Sequence, residues 1–344
     1  MTETPLRKGW TTGACAAAAA KAAYAALTGG GFPDPVTIRL PHGETPAFAL
    51  SRRSLEAGRA IAGVVKDAGD DPDVTHGAEI VAMVEAAPPG SGVVFRAGEG
   101  VGTVTLPGLP IPPGEPAINP GPRRQIMANL GEGADVVVTL SIPGGEALAA
   151  KTLNARLGIL GGLSILGTTG VVQPYSCSAW VHSIHRGIDV ARALGLDHVV
   201  AATGKTSEAV ARRLLMVPDQ ALIDMGDMAG AVLKYLRRAP VGRLTLVGGF
   251  AKLAKLAAGH LDLHSGASRV DVAFLAGLLA ELGGEASPGT AVTAAQFLSQ
   301  AGDLPLGDLV ARRAREVALA VLSGGTTVAV IAIDRAGNVV GRSG

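Results

Sequence analysis

The sequence predicts an α/β protein of two domains, an N-terminal α+β domain over residues 1–185 and a C-terminal doubly wound, Rossmann-like α/β domain over residues 186–344. With 344 residues, the chain exceeds the size at which one hydrophobic core usually keeps growing. Segments rich in β-branched residues follow one another in the first half, whereas helix-like and strand-like segments alternate from residue 187 onward. Such alternation is typical of βαβ units and a parallel sheet.

An alanine-rich segment, ACAAAAAKAAYAAL at 14–27, is the first predicted element. Thr11, Thr12 and Gly13 precede it as a suitable helix start. Alanine is the best helix former but only weakly hydrophobic, and Lys21 interrupts the run. We therefore interpret the segment as a helix rather than as a secretory signal. Its small side chains would allow another backbone or a ligand to approach closely.

The rest of the N-terminal half contains mainly predicted strands. β-branched residues between Gly and Pro predict strands at 36–40, 79–86, 92–97, 101–108 and 134–143. A short helix is predicted at 123–130. The segment before it, 109–122, is too rich in proline for a helix or a central strand. We expect it to be an ordered surface track or a loop.

The C-terminal half alternates between the two kinds of element. Helices are predicted at 187–195, 206–215, 228–238 and 250–259, and strands at 198–203 and 242–248. The tail adds two or three helices and a final strand at 326–334.

Composition limits the classes of function. Apolar residues make up 48% and charged residues 17% of the chain, which suits a folded core. With a formal net charge of +1, the protein has no strong positive electrostatic field to attract a polyanion, so we expect no nucleic-acid partner. Long, strongly apolar runs are missing, so we expect no membrane span. Cys15 and Cys177 form neither a disulfide framework nor a zinc-ligand spacing, which suits a reducing compartment, and we expect a cytoplasmic protein.

The glycine-rich run LGILGGLSILGTTG at 157–170 carries half of a phosphate-binding motif. Gly162 and Gly167 have the P-loop spacing, but Thr168 stands where the motif needs lysine. A second segment, ATGKTSE at 202–208, has the Gly-Lys-Thr, but Val199 stands where its first glycine should be. Because the lysine and the backbone cradle must act together, neither half predicts triphosphate binding. The segment GEGVGTV also runs from strand to strand, unlike a dinucleotide fingerprint.

The segment KDAGDDPDVTHG at 66–77 is the densest polar cluster. Asp70, Asp71, Asp73 and His76 within it suit a hard cation, a general base or a cationic ligand. The alternative from residue types alone is a turn whose aspartates bind their own backbone. Cys, His and Glu do not converge at a metal-ligand spacing, so we expect no protein-bound metal.

Cationic side chains flank the glycine-rich run. Arg123 and Arg124 begin the predicted helix at 123–130, and Lys151 and Arg156 precede the run. Arginine near a helix N-terminus suits the capture of carboxylates, although solvation at the surface explains these residues equally well.

Several segments in the same order, from residue 6 to about residue 265, together resemble the CbiD family. They are LRKGWTTGACAAAAAKAA, KDAGDDPDVTHG, GEGVGTVTLPGL, GEPAINPGPRRQI, AKTLNARLGILGGLSILGTTG and DMGDMAGAVL. The resemblance implies an S-adenosylmethionine-dependent methyltransferase that converts cobalt-precorrin-5B to cobalt-precorrin-6A by methylating ring carbon C-1 in the anaerobic cobalamin pathway. S-Adenosylmethionine is then a co-substrate, and cobalt enters only as part of the tetrapyrrole substrate.

This chemistry needs a carboxylate or base, a donor site and cations for the acidic arms of the macrocycle. We assign the catalytic role to Asp70, Asp71, Asp73 and His76. We assign donor binding to Gly161, Gly162, Ser164, Gly167, Thr168 and Thr169. We assign substrate binding to Thr11, Thr12, Arg123, Arg124, Lys151, Asn154 and Arg156.

Two other classes of function stay open, a P-loop-like nucleotide hydrolase and a non-catalytic corrinoid-binding protein. The second lacks the histidine-centred motif expected of a cobalt-binding module. In each case the expected partner is a small molecule, with no membrane partner, and the sequence is compatible with a homo-oligomer.

Overall fold

A computed structural model describes residues 5–285 and 293–344. The chain divides into two compact units, of which the first ends at Ser176 and the second begins at Cys177. This division precedes the expected one at 185 because the helix Cys177–Ala193 is continuous and buries Ile184 and Ile188 in the core of the second unit. The mixed α/β character predicted from the sequence is confirmed.

Over residues 5–176, the first unit contains three helices and eleven strands, several of them only two residues long. In chain order they are β1 (Gly9–Trp10), α1 (Thr12–Leu27), β2 (Val36–Thr37), β3 (Ala47–Phe48), β4 (Arg52–Glu56), β5 (Arg59–Val65), β6 (Glu79–Ala86), β7 (Val93–Ala97), β8 (Thr103–Val104), α2 (Pro120–Leu130), β9 (Val136–Ser141), α3 (Gly145–Ala149), β10 (Ile159–Leu160) and β11 (Val171–Val172).

A five-stranded sheet with the order β4-β5-β6-β9-β7 forms the centre of this unit. Its pairs are antiparallel except for β7 and β9, which run parallel. Ala62 lies opposite Ala82, which in turn lies opposite Leu140. Because side chains alternate along a strand, these three buried residues share one face of the sheet, and α1 packs against β5 and β6.

Helix α1 is buried around most of its circumference. Its alanines from Ala16 to Ala20 have no exposed surface, and α2 packs against α1 in addition to the sheet. A methyl group is the largest side chain that keeps the backbones this close, so the alanine run is explained by packing on several sides.

The second unit alternates strands and helices as predicted from the sequence. Its elements are α4 (Cys177–Ala193), β12 (His198–Ala202), α5 (Lys205–Leu215), β13 (Leu222–Asp224), α6 (Ala229–Arg238), β14 (Arg243–Gly249), α7 (Phe250–Ala257), α8 (Val272–Glu281), α9 (Ala294–Gln300), α10 (Leu306–Leu322), β15 (Thr327–Ile333) and β16 (Val339–Ser343).

These strands form one sheet in the order β13-β12-β14-β15-β16, parallel except for β16. Both faces of the sheet are buried. Val199 and Ala201 join the large core that includes α4, α6, α7 and α10, whereas Val200 joins a smaller cluster with Val210 of α5. Burial on both faces explains why these strands read as continuous apolar runs.

Within the described residues, no helix combines the length and apolar character needed to cross a membrane.

The close packing of α1 leads to a stability prediction. Replacing Ala18 by leucine adds volume where the helix meets its neighbours, and we expect a loss of about 1–3 kcal/mol in the free energy of unfolding. Ala25, on the same helix, is only half-buried, so the same substitution there should cost less than about 0.5 kcal/mol. Urea unfolding followed by circular dichroism measures both. Equal losses at the two positions would contradict the packing account.

Candidate functional site

Three motifs that are far apart in the sequence meet at the N-terminal end of α1. The segment 7–13 lies between the aspartate-rich loop 66–77 and the end of the glycine-rich run. The Trp10 amide donates to the Asp67 carbonyl at 2.7 Å, and the Thr11 amide donates to the Gly170 carbonyl at 2.9 Å. Strand β1 also pairs with β11. We call the segments 7–13, 66–77 and 161–175 the junction.

A buried ion pair lies at the base of the aspartate-rich loop. The Lys66 side chain is 1% exposed, and its Nζ lies 2.7 Å from Asp73 Oδ2. The other oxygen of Asp73 accepts hydrogen bonds from the amide and the hydroxyl of Thr75, at 2.8 and 2.7 Å. Burial acts to raise the pKa of Asp73, but the bonds from Lys66 and Thr75 outweigh it and lower that pKa below its ordinary value. Both oxygens of Asp73 are therefore committed to the protein.

The other aspartates of the loop hold neighbouring segments in place. Asp67 accepts hydrogen bonds from the Arg7 guanidinium and from the Gly69 amide. These bonds, those from Arg7 first, lower the pKa of Asp67 to about 2. Asp70 accepts from the Arg7 amide at 2.6 Å, and Asp71 accepts from the Tyr175 amide at 2.8 Å. In these two bonds, Asp70 and Asp71 each use one carboxylate oxygen.

His76 is oriented by the same loop. Its Nδ1 accepts a hydrogen bond from the Ala68 amide at 3.1 Å, and the side chain is exposed. A ring nitrogen that accepts carries no proton, so the proton of the neutral imidazole lies on Nε2. This leaves His76 with one donor that the loop does not require.

The two threonines assigned to substrate binding have structural roles. Thr11 is the N-cap of α1, where its hydroxyl accepts from the Ala14 amide at 3.1 Å. The Thr12 hydroxyl donates to the Leu166 carbonyl at 3.1 Å and accepts from the Leu166 amide at 3.0 Å. Both residues are buried. Together they join α1 to the glycine-rich run.

Packing explains two glycines of that run. A Cβ on Gly162 would overlap the backbone of Gly100, and a Cβ on Gly167 would overlap the Thr11 side chain. Gly161 differs, since its Cβ would meet nothing within 4 Å and its φ of +81° is what favours glycine. The protein itself therefore fills the space beside Gly162 and Gly167.

Sequence reasoning missed Gln125 of α2. Its Nε2 donates to the carbonyls of Gly167 and Thr168, at 2.9 and 3.1 Å, so the amide orientation is well determined. Gln125 is 3% exposed, and its Oε1 has no hydrogen-bond partner within residues 5–285 and 293–344. A buried acceptor of this kind calls for a donor from water or a ligand. An isolated glutamine in a helix gives no sequence signal for this role.

The remaining residues that we assigned to binding of the methyl donor also lie at the junction. The Thr169 hydroxyl donates to the Val171 carbonyl at 3.1 Å, and Thr168 is exposed while Ser164 is half-buried.

The basic residues differ in their availability. The Arg123 guanidinium donates to the Ile118 carbonyl at 2.9 Å and to Glu115 at 3.1 Å, and it lies over the Phe95 ring. Arg124 and Lys151 are exposed.

Asn154 and Arg156, the other two residues before the glycine-rich run that we assigned to substrate binding, are less exposed than Arg124 and Lys151. Asn154 is buried and donates to the Gly162 carbonyl at 3.2 Å, whereas Arg156 is half-buried. Of the assigned cations, Arg124 and Lys151 therefore extend furthest into solvent.

Among the residues that the structure describes, no group of three or more His, Cys, Asp or Glu side chains is placed to hold a metal ion. The Cys15 thiol is buried in α1, and burial raises its pKa to about 12. A thiol in this state is a poor nucleophile at neutral pH.

The ion pair of Lys66 and Asp73 yields a stability prediction. Asp73→Asn leaves the Lys66 ammonium buried without its counter-ion, and we expect a loss of about 3 kcal/mol, the lower end of the range for broken buried pairs, because Asp73 is 25% exposed. Asp70→Asn is the matched control, since Asp70 is exposed and Asn can still accept from Arg7, so its cost should stay below about 1 kcal/mol. Similar melting temperatures for the two variants would contradict a structural role for the pair.

The same pair predicts a pH dependence. The folded pKa of Asp73 is lowered, so its contribution is present above the unfolded value of about 3.9 and is lost as the pH falls through the folded pKa. The difference in stability between the parent protein and Asp73→Asn should therefore be largest near neutral pH and shrink below about pH 4. Unfolding measured across this range would contradict the account if the difference stayed constant.

Comparisons with known proteins agree over almost the whole chain. The family model described as CbiD matches residues 1–174, and the model described as CbiD, C-terminal domain, matches residues 262–344. A Brucella anthropi protein named cobalt-precorrin-5B C(1)-methyltransferase is 58% identical, over 98% of this chain and 95% of its own. A Bradyrhizobium protein of the same name is 56% identical, over 99% of this chain and 96% of its own.

One solved structure is also similar, that of a cobalamin biosynthesis protein (cbiD) from Archaeoglobus fulgidus. It is 31% identical, covers 75% of this chain and 82% of its own, and has a TM-score of 0.40. Because the relatives named above are more than half identical along nearly their full length, the chain belongs to the CbiD family.

Proposed function

We propose that this protein is an S-adenosylmethionine-dependent methyltransferase that methylates C-1 of cobalt-precorrin-5B and yields cobalt-precorrin-6A. The observation that carries the proposal is the identity of 56–58% with proteins named cobalt-precorrin-5B C(1)-methyltransferase, over 98–99% of the chain. The substrate is a tetrapyrrole that brings its own cobalt, and the methyl donor is a co-substrate. The cytoplasm is the compartment that we propose for this reaction.

Methyl transfer from a sulfonium is an in-line displacement, in which the methyl carbon leaves sulfur as the nucleophilic ring carbon approaches. The protein must mainly hold the reactants in line, and positioning of this kind supplies up to about 7–11 kcal/mol. Our catalytic proposal keeps Asp70, Asp71, Asp73 and His76. Asp70 and His76 are exposed, so they are better placed to meet a ligand than Asp73, whose oxygens bind Lys66 and Thr75.

The acidic arms of the macrocycle require cations. Arg124 and Lys151 are exposed and suit this role best among the residues assigned to the substrate. Gln125 Oε1 adds a buried hydrogen-bond acceptor beside Gly167 and Thr168. An N–H or O–H group of a ligand would satisfy it.

For the second unit we propose the finer description of a doubly wound, Rossmann-like domain. Counted along the chain from β12, its strands have the order 2-1-3-4-5, which is one of the two common doubly wound orders. The helices on both faces of the sheet support this description.

A labelling experiment tests the proposed activity. Incubation of the purified protein with cobalt-precorrin-5B and S-adenosylmethionine carrying a ¹³C-labelled methyl group should transfer one labelled methyl to the tetrapyrrole. Mass spectrometry should show this gain together with formation of S-adenosylhomocysteine. Tight tetrapyrrole binding without transfer would instead support a corrinoid-binding protein, and release of phosphate from ATP would support a nucleotide hydrolase.

The aspartate-rich loop yields a catalytic prediction. If Asp70 or Asp71 acts on the reactants, its Asn variant should lower single-turnover methylation by roughly 10²- to 10⁴-fold at an unchanged melting temperature. An aspartate that only orders the loop should lose less than about threefold, since Asn keeps an acceptor for the same backbone amide. Should both variants remain within threefold of the parent, the loop is structural and His76 becomes the next candidate.

A further inference from the structure

We infer that the carboxyl edge of the parallel sheet in the second unit binds the adenosyl part of the methyl donor. The identity of the ligand, the methyl donor, rests on the proposed function. The position of its binding site rests on the structure of the second unit alone. The groups concerned are Gly204 after β12, Asp224 at the end of β13, Gly249 at the end of β14, and Trp180 of α4.

The topology creates a crevice at this edge. The chain passes from β12 through α5 to β13 on one side, and then through α6 to β14 on the other side of β12. The loops after β12 and β14 therefore lead in opposite directions. In open α/β sheets, ligands bind outside the carboxyl ends of the strands at such a switch point.

Polar contacts hold the loops around this crevice in place. Lys252 Nζ donates to the Thr203 carbonyl at 3.0 Å and lies 2.9 Å from Asp227 Oδ1, so it joins the loops that follow β12 and β13. The Thr203 hydroxyl, in a residue 8% exposed, accepts from the Gly249 amide at 3.4 Å. The edge is thus organised by the protein's own contacts before any ligand binds.

The fold does not require glycine at position 249. Its φ of −59° and ψ of 139° are accessible to any residue, and a Cβ placed there would meet nothing within 4 Å. Gly204, across the crevice, also has open space where its Cβ would lie, and its φ of +148° is a backbone conformation that favours glycine. In contrast, the protein itself fills the corresponding space at Gly162 and Gly167. At a switch point, open space beside Gly249 and Gly204 leaves room for a ligand to lie against the backbone.

Asp224 provides the chemistry that a ribose needs. It ends the strand next to β12, and it stands 20 positions after Gly204 (224 − 204 = 20). A carboxylate at about this distance after the first strand-to-helix turn binds ribose hydroxyls in dinucleotide-binding folds. Asp224 Oδ1 accepts from the Gly226 amide at 3.3 Å, which orients the side chain within the loop.

Trp180 offers a flat surface for a purine beside this carboxylate. Trp180 is 48% exposed, and its indole lies beside Gly226, 3.3 Å from where a Cβ on that glycine would be. An aromatic face next to the ribose acceptor suits adenine, because bases stack on aromatic rings. The edge therefore combines a glycine cradle, a ribose acceptor and a stacking surface.

Calorimetric titration with S-adenosylhomocysteine tests the inference on the intact protein. Gly249→Val fills the cradle and should weaken binding at least tenfold, whereas Gly277→Val is the matched control and should stay within twofold. Gly277 lies in α8, where its Cβ would also meet open space. Asp224→Asn should weaken binding about tenfold, which keeps the test decisive if the valine variant does not fold. Circular dichroism checks the fold of each variant.

A second readout uses the two tryptophans of the chain. In a Trp10→Phe background, Trp180 is the remaining tryptophan, and S-adenosylhomocysteine should change its fluorescence with the same affinity that calorimetry gives. If the parent binds S-adenosylhomocysteine but Gly249→Val and Asp224→Asn bind within twofold of it, the inferred place is wrong while the proposed function stands. If the parent binds neither S-adenosylhomocysteine nor S-adenosylmethionine, or binds only ATP, the inference and the proposed donor both fail.

Discussion

The first unit depends on how closely the backbone of α1 can approach its neighbours. Alanine methyl groups allow the helix to lie against β5, β6 and α2 at once, and its N-terminal end is then fixed by the bonds of Thr11 and Thr12. The aspartate-rich loop and the glycine-rich run attach to the same end of the helix, so their mutual position follows from the packing of α1. A larger side chain in the middle of α1 would displace the elements that assemble the junction.

Some strands of the first unit's sheet, such as β6, were identified from the sequence, but others were missed, including the buried strand β5. Strand 79–86 matches β6 because β-branched residues on a buried strand produce a clear pattern, whereas β4 was missed because its residues, RRSLE, are polar and mostly exposed at the sheet edge. The start of α4 was missed for a related reason, since its first turns are exposed and lack an apolar period. At the junction, the motifs were found from the sequence, but their contacts join residues more than 60 positions apart, as between Arg7 and Asp70, and no local pattern encodes these.

Glycine and aspartate each serve more than one purpose in this chain. Gly162 and Gly167 allow protein segments to approach each other, whereas Gly249 borders open space at the carboxyl edge of a parallel sheet. Similarly, Asp73 neutralises a buried lysine, while Asp224 ends a strand at a switch point. Composition alone does not separate these uses. The structure separates these uses. For a glycine, the atoms around an added Cβ decide, and for an aspartate, the partners of each carboxylate oxygen decide.

The central claim is that the methyl donor binds beside Gly249 at the carboxyl edge of the parallel sheet, whereas the glycines of the run at 161–170 serve packing and backbone conformation. Amide hydrogen exchange with and without S-adenosylhomocysteine tests it directly, because exchange reports ligand protection segment by segment. The account predicts added protection in peptides that cover 203–207, 224–228 and 248–252, with little change in those that cover 161–170. Protection confined to 161–170 would contradict it and would place the donor at the junction.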